Sequence, residues 1–134
     1  MPRATALFVA LAITIAGCHS STGPTAGTVR FEDGSPVKSG SIEFRSLDSD
    51  RRYASRIDSD GRFQPEDKES EIGLPPGDYE VVVVQIVLTE DLAAEDHRHG
   101  QTVPRKYADY YTSGLRVSIE PNQQEDIEIV LSTE

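Results

Sequence analysis

Cysteine is nearly absent from this sequence of 134 residues, because Cys18 is the only one. A single cysteine excludes an intrachain disulfide framework and a metal site built from paired cysteines. Basic residues are also few, with 13 Lys and Arg against 23 Asp and Glu, and the formal net charge is −10. This balance argues against nucleic acid as a partner, since phosphate binding needs clustered Lys and Arg. Neither a glycine-rich phosphate loop nor a Gly-x-Ser-x-Gly nucleophile motif occurs, so we predict no catalytic residue and no cofactor.

Long apolar runs are missing as well. Residues 4–16 are apolar apart from Thr5 and Thr14, and Arg3 precedes them. This run is shorter than the roughly 20 residues that an ordinary membrane-spanning helix needs. A short apolar run behind a basic residue is instead typical of an export signal. The length that remains after such a signal fits one domain rather than two.

The signal ends in a short motif, Ile15-Ala16-Gly17-Cys18. It resembles the lipobox of bacterial lipoproteins, an aliphatic residue and two small residues before an obligatory cysteine. The resemblance implies that residues 1–17 are a cleaved signal peptide and that Cys18 carries diacylglycerol and acyl chains such as palmitate. Several acyl chains, at about 0.8 kcal/mol per buried CH2, hold a protein firmly to a bilayer. The alternatives are an ordinary signal peptide with a chance cysteine and an uncleaved anchor.

The residue after the cysteine bears on the choice of membrane. In lipoproteins an Asp there favours retention in the inner membrane, and this chain has His19. The resemblance therefore favours the outer membrane, where the organism has one. Residues 20–25 are Ser, Thr, Gly or Pro and have little to bury. We predict a lipidated flexible tether over 18–26 and one domain over 27–134.

Alternation of apolar and polar residues dominates the chain from Gly27 onward and predicts seven short strands. The segment 79–87 has β-branched residues on both faces, so it is predicted to be a central strand covered on both sides. The one helical candidate is short, 90–95. Turn residues separate most of the strands, and the pattern predicts an all-β, seven-stranded antiparallel sandwich. The predicted strands are 28–32, 41–45, 53–57, a short strand at Phe63, 79–87, 115–120 and 127–131.

Four motifs follow one another along the domain: Gly27-Thr28-Val29, Asp33-Gly34-Ser35-Pro36-Val37, Ser59-Asp60-Gly61-Arg62-Phe63 and Pro75-Pro76-Gly77-Asp78-Tyr79. Together they resemble the motifs of carboxypeptidase regulatory-like, or transthyretin-like, domains. The resemblance implies a Greek-key, prealbumin-like sandwich that acts as a non-catalytic module for folding support, adhesion, or contact with carbohydrate and protein. The hydrolases of this kind that act in purine breakdown end in Tyr-Arg-Gly-Ser, whereas this chain ends in Leu131-Ser132-Thr133-Glu134, so their activity is not carried over.

The motif residues also have physical roles of their own. The glycines at 34, 61 and 77 are predicted to supply the backbone angles that turns require. The aromatic residues Phe63 and Tyr79 are predicted to anchor the core. Such residues are evidence of fold rather than of activity.

Two histidines that lie close together in the sequence suggest an alternative function, as a metal site or a catalytic base. In an extended segment, His97 and His99 would point the same way and could hold one divalent cation or supply a catalytic base. No third ligand is set by the sequence, and Arg98 lies between them. A solvated polar loop is the simpler interpretation, and a small envelope enzyme or metal binder is the alternative.

The best candidate for a functional surface is a long insertion, 88–113. Loops of this length in compact domains are usually functional or disordered, and we predict that this one is mobile and exposed. It combines basic residues with tyrosines in an otherwise acidic protein, a composition that suits contact with protein or glycan. Tyr107 could instead fasten the insertion to the sandwich, and the acidic loop 66–71 is the alternative surface. The predicted surface residues are Arg105, Lys106, Tyr107, Tyr110 and Tyr111.

The sequence thus predicts a non-enzymatic lipoprotein of the cell envelope. Its expected partners are membrane lipid, through acylated Cys18, and an envelope protein or glycan that contacts the domain.

Overall fold

The computed structural model describes residues 23–86 and 101–133. The predicted signal peptide 1–17, Cys18, the helical candidate 90–95, His97 and His99 lie outside these residues. Within the described residues the chain forms seven strands, and the all-β prediction is confirmed. The strands are β1 (Gly27–Phe31), β2 (Ser41–Ser46), β3 (Arg52–Arg56), β4 (Arg62–Phe63), β5 (Gly77–Val84), β6 (Leu115–Ile119) and β7 (Ile127–Leu131).

The strands form two sheets, with the orders β4-β1-β7 and β3-β2-β5-β6. The prediction of a wholly antiparallel arrangement is wrong for one pair, because β1 and β7 run parallel from Gly27 opposite Ile127 to Phe31 opposite Leu131. The direction follows from where each strand begins. The Ala26 carbonyl just before β1 accepts from the Ile127 N–H at the start of β7, so both strands start from the same end of the domain.

The core lies between the two sheets and is filled by alternate residues of both. Phe44 in β2 lies 5.6 Å from Phe63 in β4, measured between ring centroids, and contacts Tyr79 edge to face. Phe63 and Tyr79 are buried, so their predicted role as core anchors is confirmed. The hydroxyl of Tyr79 donates to the Pro75 carbonyl at 2.6 Å, and burial raises the pKa of this phenol. The phenol therefore remains a donor that fixes the start of β5.

Strand β5 occupies the predicted central position, between β2 and β6. It begins and ends earlier than the predicted 79–87, because Gly77 pairs with Ile119 and the last pair is Val84 with Ser41. Its inner face carries Tyr79, Val81 and Val83, all buried. Val82 on the outer face is buried too, because residues 105–113 pack against β5.

The predicted turns form at Gly34 and Gly61, whereas Gly77 is the first residue of strand β5. Gly61 illustrates why the residue type matters in a turn. Its φ is +77°, and a Cβ at this position would lie 2.5 Å from the Val29 carbonyl oxygen. Any other residue would therefore clash as well as strain the backbone. The Asp58 carboxylate completes the turn by accepting from the Asp60 and Arg62 N–H groups, each at 2.9 Å.

The first residues that the structure describes, 23–26, pack on the sandwich. Pro24, assigned to the flexible tether 18–26, is fully buried, and its carbonyl accepts from the Leu74 N–H at 3.1 Å. The Ala26 carbonyl accepts from the Ile127 N–H at 3.0 Å. Residues 23–26 thus belong to the domain, because their backbone is hydrogen-bonded to it and a proline ring fills part of its core. In the described part of the chain, no helix is long and apolar enough to cross a membrane.

Candidate functional site

The five predicted surface residues lie on one short segment between β5 and β6. The segment begins with a single 3-10 turn, Arg105–Ala108, and continues in helix α1, Tyr110–Ser113. The prediction that this part of the insertion is a mobile loop is therefore wrong for 105–113. The sequence carries a helix signal that the prediction missed, an Asp before the first turn and a Gly after the last. The Asp109 side chain accepts from the Tyr111 N–H at 2.7 Å, and Gly114 adopts a φ of +66°.

Side-chain hydrogen bonds fasten this segment to the sandwich. The Ser113 hydroxyl is buried and donates to the Val81 carbonyl of β5, just where the pairing of β5 with β6 stops. The Thr112 hydroxyl donates to the Lys106 carbonyl at 2.6 Å and ties α1 to the preceding turn. The segment thus occupies the side of β5 beyond the end of β6, as a fixed element.

Tyr107 proves to be part of the core rather than of a binding surface. Its ring packs among the core side chains of both sheets, and its hydroxyl accepts from the Ser132 N–H at 2.8 Å. The alternative interpretation, that Tyr107 fastens the insertion to the sandwich, is therefore the correct one. The Lys106 ammonium lies 5.0 Å from the centroid of the same ring.

Tyr107→Phe is expected to lower the free energy of unfolding by roughly 1–2 kcal/mol, because the hydrogen bond from the Ser132 N–H to the Tyr107 hydroxyl is lost. Tyr111→Phe is the matched control, since it removes the same hydroxyl from an exposed ring and should change stability by less than about 0.5 kcal/mol. Urea denaturation of the two variants measures both. Equal stability of the two would mean that the Tyr107 hydroxyl contributes nothing to the fold.

Tyr110 and its neighbours form what we call the outer-face cluster, which consists of Glu43, Arg45, Arg52, Glu80 and Tyr110. The Tyr110 hydroxyl donates to Glu43 Oε1 at 2.7 Å, and the Arg45 guanidinium carbon lies 3.9 Å from the Tyr110 ring centroid. Arg45 also pairs with Glu80, and Arg52 reaches Glu43 at 3.5 Å. The alternation of β2 causes this arrangement, because Ile42 and Phe44 point into the core and leave their neighbours on the outer face.

The electrostatics of the cluster keep Tyr110 protonated. Burial, and then the hydrogen bond to the Glu43 carboxylate, raise the pKa of the Tyr110 phenol. The hydrogen bond to Glu80 raises the pKa of the Arg45 guanidinium. A neutral phenol that donates to a carboxylate and lies against a guanidinium is held in one position on the sheet. The expectation that Tyr110 is exposed is wrong, since it is half-buried on the sheet.

Tyr111 is the residue that the segment presents to solvent. It is 97% exposed, although it lies in a helix that is fixed at both ends. Arg105 and Lys106 are exposed on the same segment. Of the five predicted surface residues, Tyr107 is therefore in the core and Tyr110 is packed on the sheet. The other three, Arg105, Lys106 and Tyr111, are exposed.

A cavity of about 560 Å³ adjoins the outer-face cluster through a shared residue, Arg52. It lies between the turn that follows β2 and the acidic loop predicted as the alternative surface. That loop is closed by Asp67, whose carboxylate accepts from the Glu69 and Glu71 N–H groups at 2.8 and 3.0 Å. Side chains of both charges face the cavity. Its lining consists of Ser49, Asp50, Arg51, Arg52, Asp67, Lys68 and Glu69.

No group of three or more His, Cys, Asp or Glu side chains among residues 23–86 and 101–133 is placed to hold a metal ion. Comparison of the chain with protein-family models, with curated proteins and with solved structures found no match.

Proposed function

We propose that this chain is a lipid-anchored protein of the bacterial cell envelope whose β domain binds a protein or glycan without enzymatic activity. The anchor is proposed from the lipobox that ends in Cys18, and the outer membrane is favoured by His19. The domain is proposed to be a Greek-key sandwich of the carboxypeptidase regulatory-like kind. The positions of Gly61, Phe63 and Tyr79 support this assignment, since each has the turn or core role that its motif implies.

The observation that carries the binding role is the exposure of Tyr111. An aromatic side chain that is 97% exposed gains nothing from the core, yet the helix that carries it is fixed by Asp109 and Ser113. A fixed backbone lowers the entropy cost of binding, because little has to be ordered when the partner arrives. Tyrosine is also among the residues that contribute most to interface energy. These properties support a contact surface centred on Tyr111.

The neighbouring charges indicate what kind of partner suits this surface. Arg105 and Lys106 give the segment two exposed cations, whereas Arg45 at its base is paired with Glu80. The chain as a whole is acidic. A partner with carboxylates, on a protein or on a glycan, would meet attraction here and repulsion over much of the remaining surface.

Photo-crosslinking in the native envelope tests the proposal. With p-benzoylphenylalanine in place of Tyr111, we expect a covalent adduct with an envelope protein or glycan. Val130, 37% exposed on the three-stranded sheet, is the control position and should give no adduct. Adducts at 130 and none at 111 would place the contact surface elsewhere.

Once the partner is known from the adduct, Tyr111→Ala combined with Arg105→Ala should weaken its binding at least tenfold, which corresponds to about 1.4 kcal/mol. The melting temperature should stay within about 2 °C of the parent, because neither side chain enters the core. Val130→Ala is the control and should leave affinity unchanged. Full binding by the double variant would exclude this segment as the contact surface.

A further inference from the structure

The two sheets share two ends, and different segments of the chain lie at each. At one end the chain enters the domain at Gly23, where an added Cβ would lie 2.0 Å from the Leu74 carbonyl oxygen and 3.5 Å from the Ile119 side chain. Ile119 is the last residue of β6, and Ile127, the first of β7, bonds to Ala26. The turn between these two strands, 120–126, therefore lies beside the point of entry. We call this the entry end.

The opposite end carries the residues that flank 87–100. Asp33, which follows β1, accepts from the Gln101 side chain at 2.8 Å. The Gln85 side chain accepts from the Val103 N–H at 3.0 Å and donates to the Ser39 hydroxyl at 3.1 Å. Ile86 follows β5 at this end and is 77% exposed. Five-residue strands such as β1 and β7 rise about 13 Å, so the two ends are separated by at least that much.

From these positions we infer that the entry end, with the turn 120–126, faces the lipid bilayer, and that Ile86 and Gln101 point away from it. The inference rests on the lipid anchor proposed above. Five peptide units join Cys18 to Gly23, and even fully extended they span no more than about 18 Å. A lipid on Cys18 therefore holds Gly23 within that distance of the membrane surface. Since Gly23 is packed on the domain, the turn beside it is held there as well.

The charge of the entry end determines how it meets the lipid. The turn 120–126 contains Glu120, Glu125 and Asp126 and no basic residue. Asp126 has an exposed partner, Arg62, at 3.7 Å. The acidic turn is repelled by anionic lipid, so the anchor rather than surface adsorption keeps it close. The repulsion acts over roughly 8–10 Å at physiological salt, a distance shorter than the reach of the tether.

Fluorescence quenching in vesicles tests the orientation. The lipidated protein is purified as Gln124→Cys, at the entry end, or as Glu32→Cys, at the opposite end; both residues are exposed. The lipid blocks the thiol of Cys18, so a fluorophore attaches to the introduced cysteine alone. The proteins are placed in phosphatidylcholine vesicles with a headgroup-linked quencher. We expect quenching at position 124 to be at least threefold stronger than at position 32.

Each result has a distinct meaning. Equal quenching at both positions, or stronger quenching at 32, in protein that floats with the vesicles would overturn the orientation while leaving the anchor intact. Protein that does not float with the vesicles would overturn the anchor and the orientation together. With phosphatidylglycerol in the vesicles, quenching at 124 should increase as salt is added, and Glu120→Gln with Glu125→Gln should reduce this dependence. Quenching at 124 that falls with added salt would contradict the role assigned to the acidic turn.

Discussion

Val83→Asp is expected to leave the domain unfolded at room temperature. Val83 lies on the inner face of β5, is 0% exposed and is paired with Ile42 of β2. A carboxylate at this position would lose its hydration without gaining a partner, at a cost of several kcal/mol. A domain of this size has a total stability of only about 5–15 kcal/mol, so one such substitution removes much of it. Circular dichroism and a thermal melt of the chain without residues 1–18 measure the effect.

Val130→Asp makes the same change at a surface position and serves as the control. Val130 is 37% exposed on the outer side of β7, in register with Arg30 of β1. Its carboxylate would stay hydrated at this exposed position, so the melting temperature should change by no more than a few degrees. If Val83→Asp melts like the parent chain, the assignment of β5 as the central strand of the core is wrong.

The strands could be predicted from the sequence because their signal is local. In β7, for example, Ile127, Ile129 and Leu131 alternate with exposed residues, and this alternation alone indicates which face is buried. The parallel pairing of β1 with β7 has no such signal. It depends on the end from which each strand starts, and that is set by contacts between residues far apart in the sequence.

The candidate site was predicted in part, for a related reason. The basic and aromatic composition of 105–111 drew attention to the segment, but composition does not distinguish Tyr107 from Tyr111. Tyr107 is buried in the 3-10 turn 105–108, whereas Tyr111 is exposed on the helix that Asp109 and Gly114 delimit. The outer-face cluster brings Tyr110 to Glu43, 67 positions earlier in the chain, and no local pattern predicts this contact. Pro24 was missed because a run of small residues looks the same in a tether and in a packed segment.

Cys18→Ser is expected to abolish lipid labelling and release the protein from the membrane. Under the proposed lipobox assignment, the sulfur of Cys18 is the atom that carries diacylglycerol, so the substitution removes the acceptor. No other cysteine occurs in the chain, so no second acceptor can replace it. Burial of acyl chains in a bilayer contributes about 0.8 kcal/mol for each CH2, and the variant would lose this contribution. Labelling of cells with radioactive palmitate, followed by membrane fractionation, measures both losses.

A second variant tests whether lipid labelling depends on the position of the cysteine or only on the presence of a thiol. Cys18→Ser combined with Ser20→Cys keeps one cysteine but moves it two residues beyond the predicted cleavage site. Because the lipobox places the cysteine directly after Gly17, this variant should also remain unlabelled, whereas Ser20→Ala alone should be labelled like the parent. The mass of the mature protein provides an independent measure, since the parent should begin at Cys18 and carry the added lipid. Labelling of the Cys18→Ser variant, with the chain still cut after residue 17, would show that this protein is not a lipoprotein of the proposed kind.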